Sequence, residues 1–491
     1  MKEMLSLKSN NCIRRTIAYV AMFVIGTLLL LFVSRETGYY IQNDSHTYME
    51  LGNKHGVMPL YPLFLYGMRV VFGVEAYLTW VVYVQTIFAV AASLFAVSYF
   101  EKKYKLGLLE SVVCYIALLL LFNIDYIFSG TTHQILTEGL VYPLFYVYIV
   151  FLFRSIDNKW VINTVINVLL VCILSMLRSQ MKMMIVISAF VAFYYWSRCW
   201  YITKKAKNII VAFVSAIVIA AAAFALCVGI DSVLQHVTMN IVQNQNGAIS
   251  EDKTDSDITA ANVTPVEHGV NQAFDLFDGK ILYTAEETDV DLFEDKDVRL
   301  VYSIIYKAMD EEKCLYKYAE PGLNKWRSML AFNNCSRVCS EAYTEYIDCH
   351  SELSGDFISY YDAMSEITSV LLQHHWSDMI SHIGVFYLHG VMCGVCFENE
   401  EHLVLCYLVT IVSYLFAIGM IVMRLIQKET DKRDVELLIL TIILMMMLNA
   451  MVAIPLFTIR RYVCYFIGIY YALLFICLRN WAVNTGLIKR K

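Results

Sequence analysis

The residues best equipped for chemistry in this sequence are a few carboxylates, several tyrosines and four cations placed at the edges of apolar runs. Asp44 lies four residues before Tyr48, and Tyr61 follows in the same polar stretch. His133 and Glu138 precede one apolar run, Arg178 and Lys182 close another, and Arg460 and Arg461 open the last. A carboxylate beside a hydroxyl can take its proton as a new bond forms, which typically accelerates a reaction by roughly 10²- to 10⁴-fold. Cations stabilise a phosphate that gains negative charge, arginine through a planar fork that matches two oxygens. Asp44 is therefore the candidate base, and Arg178, Lys182, Arg460 and Arg461 are the candidate phosphate-binding groups. Tyr48, Tyr61, His133 and Glu138 are candidates for orienting a substrate. Glu138 is also suited to hold Mg²⁺ or Mn²⁺ with Asp125 or Asp44, all three being hard oxygen ligands. Each residue has a structural reading as well: Asp44 as the cap of a helix beginning near Ser45, the cations as groups reaching from helix ends to lipid headgroups.

Apolar helices must position these groups. The chain has 491 residues, 58% hydrophobic and only 17% charged, with a mean hydropathy of +0.55. One soluble core cannot hide that much apolar surface, so lipid is part of its solvent. Windows of about 19 residues place spans near 16–34, 77–100, 106–124, 139–153, 160–177, 183–198, 208–230, 403–423, 435–457 and 463–478. About 20 residues of helix cross roughly 30 Å of hydrocarbon with every backbone polar group paired internally. The first run is too long for a secretory signal, and Ser34-Arg35-Glu36 lacks a small-residue cleavage pattern, so it is expected to remain as an anchor.

The basic residues of the short loops then fall on one side: Arg14 and Arg15, Lys102 to Lys105, Arg154 and Lys159, Lys204 to Lys207, Arg424 to Arg433, and the Lys489-Arg490-Lys491 tail. That bias predicts cytoplasmic termini and about ten crossings. The expected fold class is an all-α polytopic membrane protein with a large extracytoplasmic helical loop subdomain. Residues 1–230 form a transmembrane core with its first outer loop at 35–76, residues 231–402 the outer subdomain, and 403–491 the C-terminal spans.

Within 231–378, Asp and Glu outnumber Lys and Arg by more than about two to one, and apolar helical patterning recurs near 301–309 and 315–332. A folded subdomain is expected there, with 244–268 as its polar, least structured part. Cys314, Cys335, Cys339 and Cys349 lie in this region and allow three disulfide pairings. Cys335, Cys339 and His350 lack the second ligand pair of a zinc signature. The stretch 379–397 reads as an interfacial or re-entrant helix, because a crossing there would move the basic 424–433 loop to the outside. His375, His382 and His389 recur every seven residues on one helical face, either the polar face of a helix lying on the membrane or a substrate-facing stripe. There is no P-loop, dinucleotide fingerprint or basic nucleic-acid patch, so nucleic acid is not an expected partner.

The first outer loop reads Asn43-Asp44-Ser45-His46-Thr47-Tyr48, then Pro59-Leu60-Tyr61-Pro62-Leu63-Phe64-Leu65 and Phe72-Gly73. This pattern, with Leu136-Thr137-Glu138-Gly139 opening the fourth span and Arg460-Arg461-Tyr462 opening the last, resembles the GT-C glycosyltransferases. These polytopic enzymes use polyprenyl-phosphate-linked sugars and include protein O-mannosyltransferases and aminoarabinose transferases. The resemblance covers roughly the first 180 residues and the final helix pair. It departs from the family in the first loop, where Asn43-Asp44 replaces an acidic pair and leaves one carboxylate.

The resemblance implies transfer of a sugar from a polyprenyl-phosphate donor, reached through the bilayer, to an extracytoplasmic glycan, lipid or protein acceptor of a bacterial cell envelope. Asp44 would act as base in a single inverting displacement. Two other readings remain open. A polysaccharide polymerase or ligase would rely on Arg299, Arg327, Arg337 and the spaced histidines. A lipid-linked oligosaccharide flippase or other transporter would need a polar path through both leaflets.

Overall fold

The computed structural model describes residues 2–33, 38–49, 58–123, 131–157, 160–205, 207–250, 276–330, 338–339, 341–342, 346, 360–396, 402–427, 431–454, 458 and 460–488. Among these, the structure is helical and contains no β-strand beyond one isolated bridge between Tyr40 and Gln134. Among the described residues, nine helices are long and apolar enough to cross a membrane. The chain is thus an all-α protein of the multi-pass membrane type. It divides into two compact units: residues 1–254, 393–447 and 464–491 form the first, and residues 255–392 and 448–463 form the second.

The first unit contains α1 (Lys2–Val33), α2 (Asn43–Met49), α3 (Leu60–Tyr104), α4 (Leu108–Leu119), α5 (Glu138–Asp157), α6 (Trp160–Leu177), α7 (Met184–Thr203) and α8 (Lys207–Ser250). α1 and α8 bury only 17% of their apolar windows against protein, whereas α5 buries 72%. A helix hydrophobic all round and so little covered by protein has lipid as its natural surrounding, while α5 is a post packed mostly against protein. Packing around that post is close. The Tyr146 hydroxyl donates to the Leu118 carbonyl at 2.9 Å, and a Cβ on Gly468 would collide with Tyr146 and approach the Leu118 backbone at 3.0 Å.

Several helix ends differ from the hydropathy reading, and three of the differences have a clear physical reason. The span expected at 77–100 belongs to the longer α3, which is broken at Gly73, where φ is +77°. Only glycine takes that left-handed conformation at little cost, so residues 60–72 form a separate arm ahead of the crossing segment, with Phe72 stacked on Trp80 at 4.6 Å across the break. The span expected at 106–124 is a 15-residue apolar helix, Leu108–Phe122, about 22 Å long at 1.5 Å per residue. α8 runs past the expected 230 to Ser250, its polar continuation containing no proline to stop it.

The second unit contains α9 (Leu276–Leu282), α10 (Lys296–Glu311), α11 (Lys325–Met329), α12 (Tyr360–His374) and most of α13 (Trp376–Cys393). Asp295 caps α10 by accepting from the Asp297 and Val298 amides at 2.7 and 3.2 Å. Val298, Val301, Tyr302, Ile305 and Met309 form its buried stripe and share a core with Ile367 and Leu371 of α12. Cys314 and Cys339 are buried in this core, whereas Cys335, Cys349 and most of 244–268 lie outside the described residues.

The histidine face of α13 corrects the reading of a polar face laid on a membrane. His382 and His389 are 1% and 2% exposed, while Trp376, Ile380 and Leu388 point outward. Buried aromatic neighbours make an imidazole face the inner one. The remaining helices are α14 (Leu403–Ile426), α15 (Arg433–Ala453), α16 (Arg460–Val463) and α17 (Ile467–Asn484). α14, α17 and the first part of α15 belong to the first unit.

Candidate functional site

One end of the first unit carries a polar layer built from α2, the segment 131–138 and the ends of α5 and α6. The backbone of Tyr40 ties the first loop to the 131–138 segment, donating to the His133 carbonyl at 2.9 Å and accepting from the Ile135 amide at 3.0 Å. Below it, Gln85 of α3 is fully buried and acts as a latch. Its Nε2 donates to the Thr132 and Gln134 carbonyls at 2.9 and 3.2 Å, and its Oε1 accepts from the Tyr61 hydroxyl at 3.0 Å. Two loop carbonyls and the Tyr61 hydroxyl, which would otherwise lie unsatisfied in a dry interior, are thereby paired. Gly139 makes room for this latch, because a Cβ there would collide with the Gln85 amide.

The charged pair of the layer is Glu138 at the start of α5 and Arg178 just beyond the end of α6. Oε1 of Glu138 and Nη1 of Arg178 form an ion pair, with side chains 2% and 14% exposed. Thr137 Oγ1 donates to Glu138 Oε2 at 3.1 Å and lies 3.5 Å from Arg178 Nη1.

Tyr48 projects from α2 into this group, with its ring edge-to-face against Tyr61 at 5.3 Å. Burial, then the negative charge of Glu138, raise its hydroxyl to about 12; Asp44 pushes the same way, and Arg178 and a hydrogen bond with Thr137 oppose them. Tyr48 therefore stays protonated at any physiological pH.

The sequence-nominated residues fall into distinct places. Asp44 is exposed in the first turn of α2. Lys182 is exposed in the short 3₁₀ turn after Arg178 and forms no ion pair among the described residues. His133 is 1% exposed, with Nδ1 3.1 Å from Thr132 Oγ1, and burial pushes it down to about 4, so it is a neutral structural imidazole. Arg461 belongs to the second unit, where its guanidinium donates to the Tyr462 hydroxyl at 2.9 Å. Arg460 opens α16, and its side chain lies outside the described residues, as does Asp125.

The metal alternative loses support from chemistry at Glu138, whose partner is a guanidinium; a divalent cation on the same carboxylate would be repelled by Arg178. Among the described residues no three His, Cys, Asp or Glu side chains are grouped to hold a metal ion. Sequence reasoning missed Gln85, Thr137 and Gln134. Gln85 did leave a signal, as a lone amide inside the apolar run Val81–Val90.

The opposite end of the unit carries the basic loops, held by ion pairs. Arg15 meets Glu101 at 3.3 Å, Arg198 meets Glu436 at 3.2 Å, Arg424 meets Asp434 at 3.0 Å and Arg479 meets Glu110 at 2.9 Å. Comparison of the chain with protein-family models, with curated proteins and with solved structures finds no match.

Proposed function

We propose that this chain is a membrane glycosyltransferase that moves a sugar from a polyprenyl-phosphate donor to an extracytoplasmic glycan, lipid or protein acceptor, with the Asp44 and Tyr48 layer as the reacting face. The observation that carries this reading is geometric: the buried Glu138–Arg178 ion pair and the edge-to-face Tyr48–Tyr61 contact lie at the end of a bundle of apolar helices, with Asp44 one helical turn before Tyr48 on α2. A lipid-borne donor reaches such a place sideways from the bilayer, and an acceptor reaches it from water.

The two carboxylates suit different tasks. Glu138 is neutralised by Arg178 and holds the layer together, whereas Asp44 is exposed and able to take the acceptor hydroxyl proton. As the acceptor oxygen bonds to the anomeric carbon, the bond from that carbon to the phosphate oxygen breaks and the lipid phosphate leaves with the electron pair. Lys182, exposed four residues beyond Arg178, supplies positive charge for that phosphate, and Arg178 stays committed to Glu138. Tyr48, protonated and fixed against Tyr61, donates a hydrogen bond to a substrate oxygen. In this reading the layer faces the extracytoplasmic side of a bacterial cell membrane and both termini face the cytoplasm.

Ionisable residues of the nine apolar helices gather near the helix ends among the described residues. That distribution favours a reaction at one surface over a transport path through both leaflets. The test is incubation of membranes containing the protein with synthetic polyprenyl-phosphate sugars, reading release of the lipid phosphate. The expected result is release by wild type and loss of about 10²-fold or more for Asp44→Asn, with insertion and folding unchanged. Near-full turnover by purified Asp44→Asn overturns the assignment of the base, and no release with any donor overturns the enzyme.

A further inference from the structure

A cavity of about 770 Å³ opens at the basic end of the first unit, where the end of α3, the end of α5 and the start of α6 meet Arg433 of α15. Four cations face it, Lys102, Lys103, Arg154 and Arg433, against the single carboxylate of Asp157. That carboxylate is already saturated. It pairs with Lys103, accepts from the Tyr99 hydroxyl at 2.8 Å and accepts from Arg433 at 3.2 Å.

Arg154 and Lys102 are left over. The Arg154 guanidinium lies over the rings of Phe95 and Phe151, 5.0 and 5.3 Å from their centroids, and neither cation has a carboxylate within ion-pair distance among the described residues. Elsewhere at this end the cations of Arg15, Arg198, Arg424 and Arg479 each have an acidic partner. The cavity is therefore a local deficit of negative charge with a shaped floor.

The other wall is apolar. Phe151, Ile162 and Ile166 line the cavity. Along the outward face of α6, Ile162, Val165, Leu169 and Ile173 are 59%, 55%, 50% and 41% exposed, a stripe of helical spacing that leads away from the cations. A soluble anion would use the cations and ignore that stripe. A molecule with a phosphate at one end and acyl chains at the other uses both, as basic pockets between membrane helices do for anionic headgroups.

We propose that this cavity binds one anionic phospholipid, with its phosphate between Arg154 and Lys102 and its acyl chains along the outward face of α6. The site is independent of the proposed transferase chemistry, lying at the other end of α5, roughly 30 Å away at 1.5 Å per residue.

The test uses the full-length protein purified in a neutral detergent, titrated with phosphatidylglycerol or phosphatidylcholine and read by native mass spectrometry. The expected result is one retained phosphatidylglycerol with a preference of about tenfold over phosphatidylcholine. Lys102→Glu, on an exposed side chain, and Arg154→Gln each lower that preference several-fold, and Val165→Asp weakens retention with the cations intact. Lys204→Gln, a basic change outside the cavity, leaves it unaltered. Equal retention of both lipids by wild type, or full preference in Lys102→Glu, overturns the site. Competition by glycerol 3-phosphate at the same concentration as phosphatidylglycerol overturns the lipid assignment, since it shows that the apolar stripe contributes nothing.

Discussion

The guanidinium of Arg178 pairs with the carboxylate of Glu138 across the antiparallel α5 and α6, so that the entry of one helix is locked to the exit of the other. With Glu138 2% exposed, neither charge can be removed alone without stranding its partner in a poorly solvated place. Removing one partner of a buried pair typically costs about 3–5 kcal/mol. Glu138→Gln is therefore expected to destabilise the protein by about 3 kcal/mol, and Glu138→Gln with Arg178→Gln to recover much of that loss. Thermal unfolding in detergent of the two single variants and the double variant measures the coupling. Additive losses would show that the pair contributes nothing specific.

Tyr48 is held protonated by burial and by the carboxylates around it, up to about 12. Its hydroxyl is then a hydrogen-bond donor, never a titrating base, in the neutral range. Tyr48→Phe is expected to slow lipid-phosphate release about tenfold, the effect of losing one hydrogen bond of about 1.4 kcal/mol, while the pH profile keeps its midpoint. A shifted midpoint in the variant would mean that Tyr48 itself gains or loses a proton during the reaction.

Much of this architecture is legible in residue order because lipid imposes a length. The apolar run 160–177 reads directly as α6, and 403–423 is α14 less its last turn. What hydropathy misses is structure that lies outside a crossing: the arm 60–72 ahead of Gly73, and the polar continuation of α8 beyond 230. Glu138 and Arg178 are each visible as charges flanking apolar runs, but their pairing is not, since it follows from which helix ends meet. Gln85 is the converse case. Its position inside an apolar run marks it as a polar group that must be satisfied, and only the folded chain shows that its partners are the Thr132 and Gln134 carbonyls.

That latch depends on an absent side chain. A methyl group at Gly139 would overlap the Gln85 amide, with no backbone freedom to move aside because Gly139 lies in the first turn of α5. Gly139→Ala is expected to cost about 1–3 kcal/mol of stability, the usual range for forcing a methyl into a packed interior, and to lower turnover by displacing Tyr61 and the 131–138 segment. Gly229→Ala, at a helical glycine with open space around it, is the matched control and is expected to be neutral. Equal unfolding temperatures for the two variants would show that Gln85 relaxes freely and latches nothing.

Acid should loosen the second unit through two buried imidazoles. Burial drives His382 down to about 4 against the opposing charge of Asp378, with Lys325 and Lys280 adding to the effect; burial and Arg327 take His389 down to about 3. His382 sits between the rings of Tyr283 and Tyr316, and neither ring nitrogen has a hydrogen-bond partner among the described residues. The ordinary value is 6.5. As pH falls through that value the unfolded chain binds protons that the folded chain refuses, so stability declines until the folded-state values are reached and then levels off. Each histidine contributes a slope of up to about 1.4 kcal/mol per pH unit. The unfolding temperature of the full-length protein, followed by near-ultraviolet dichroism between pH 7 and about 4, is expected to fall steeply for wild type and less steeply for His382→Phe. A variant with an unchanged slope would mean that His382 already finds a proton-stabilising partner in the folded chain.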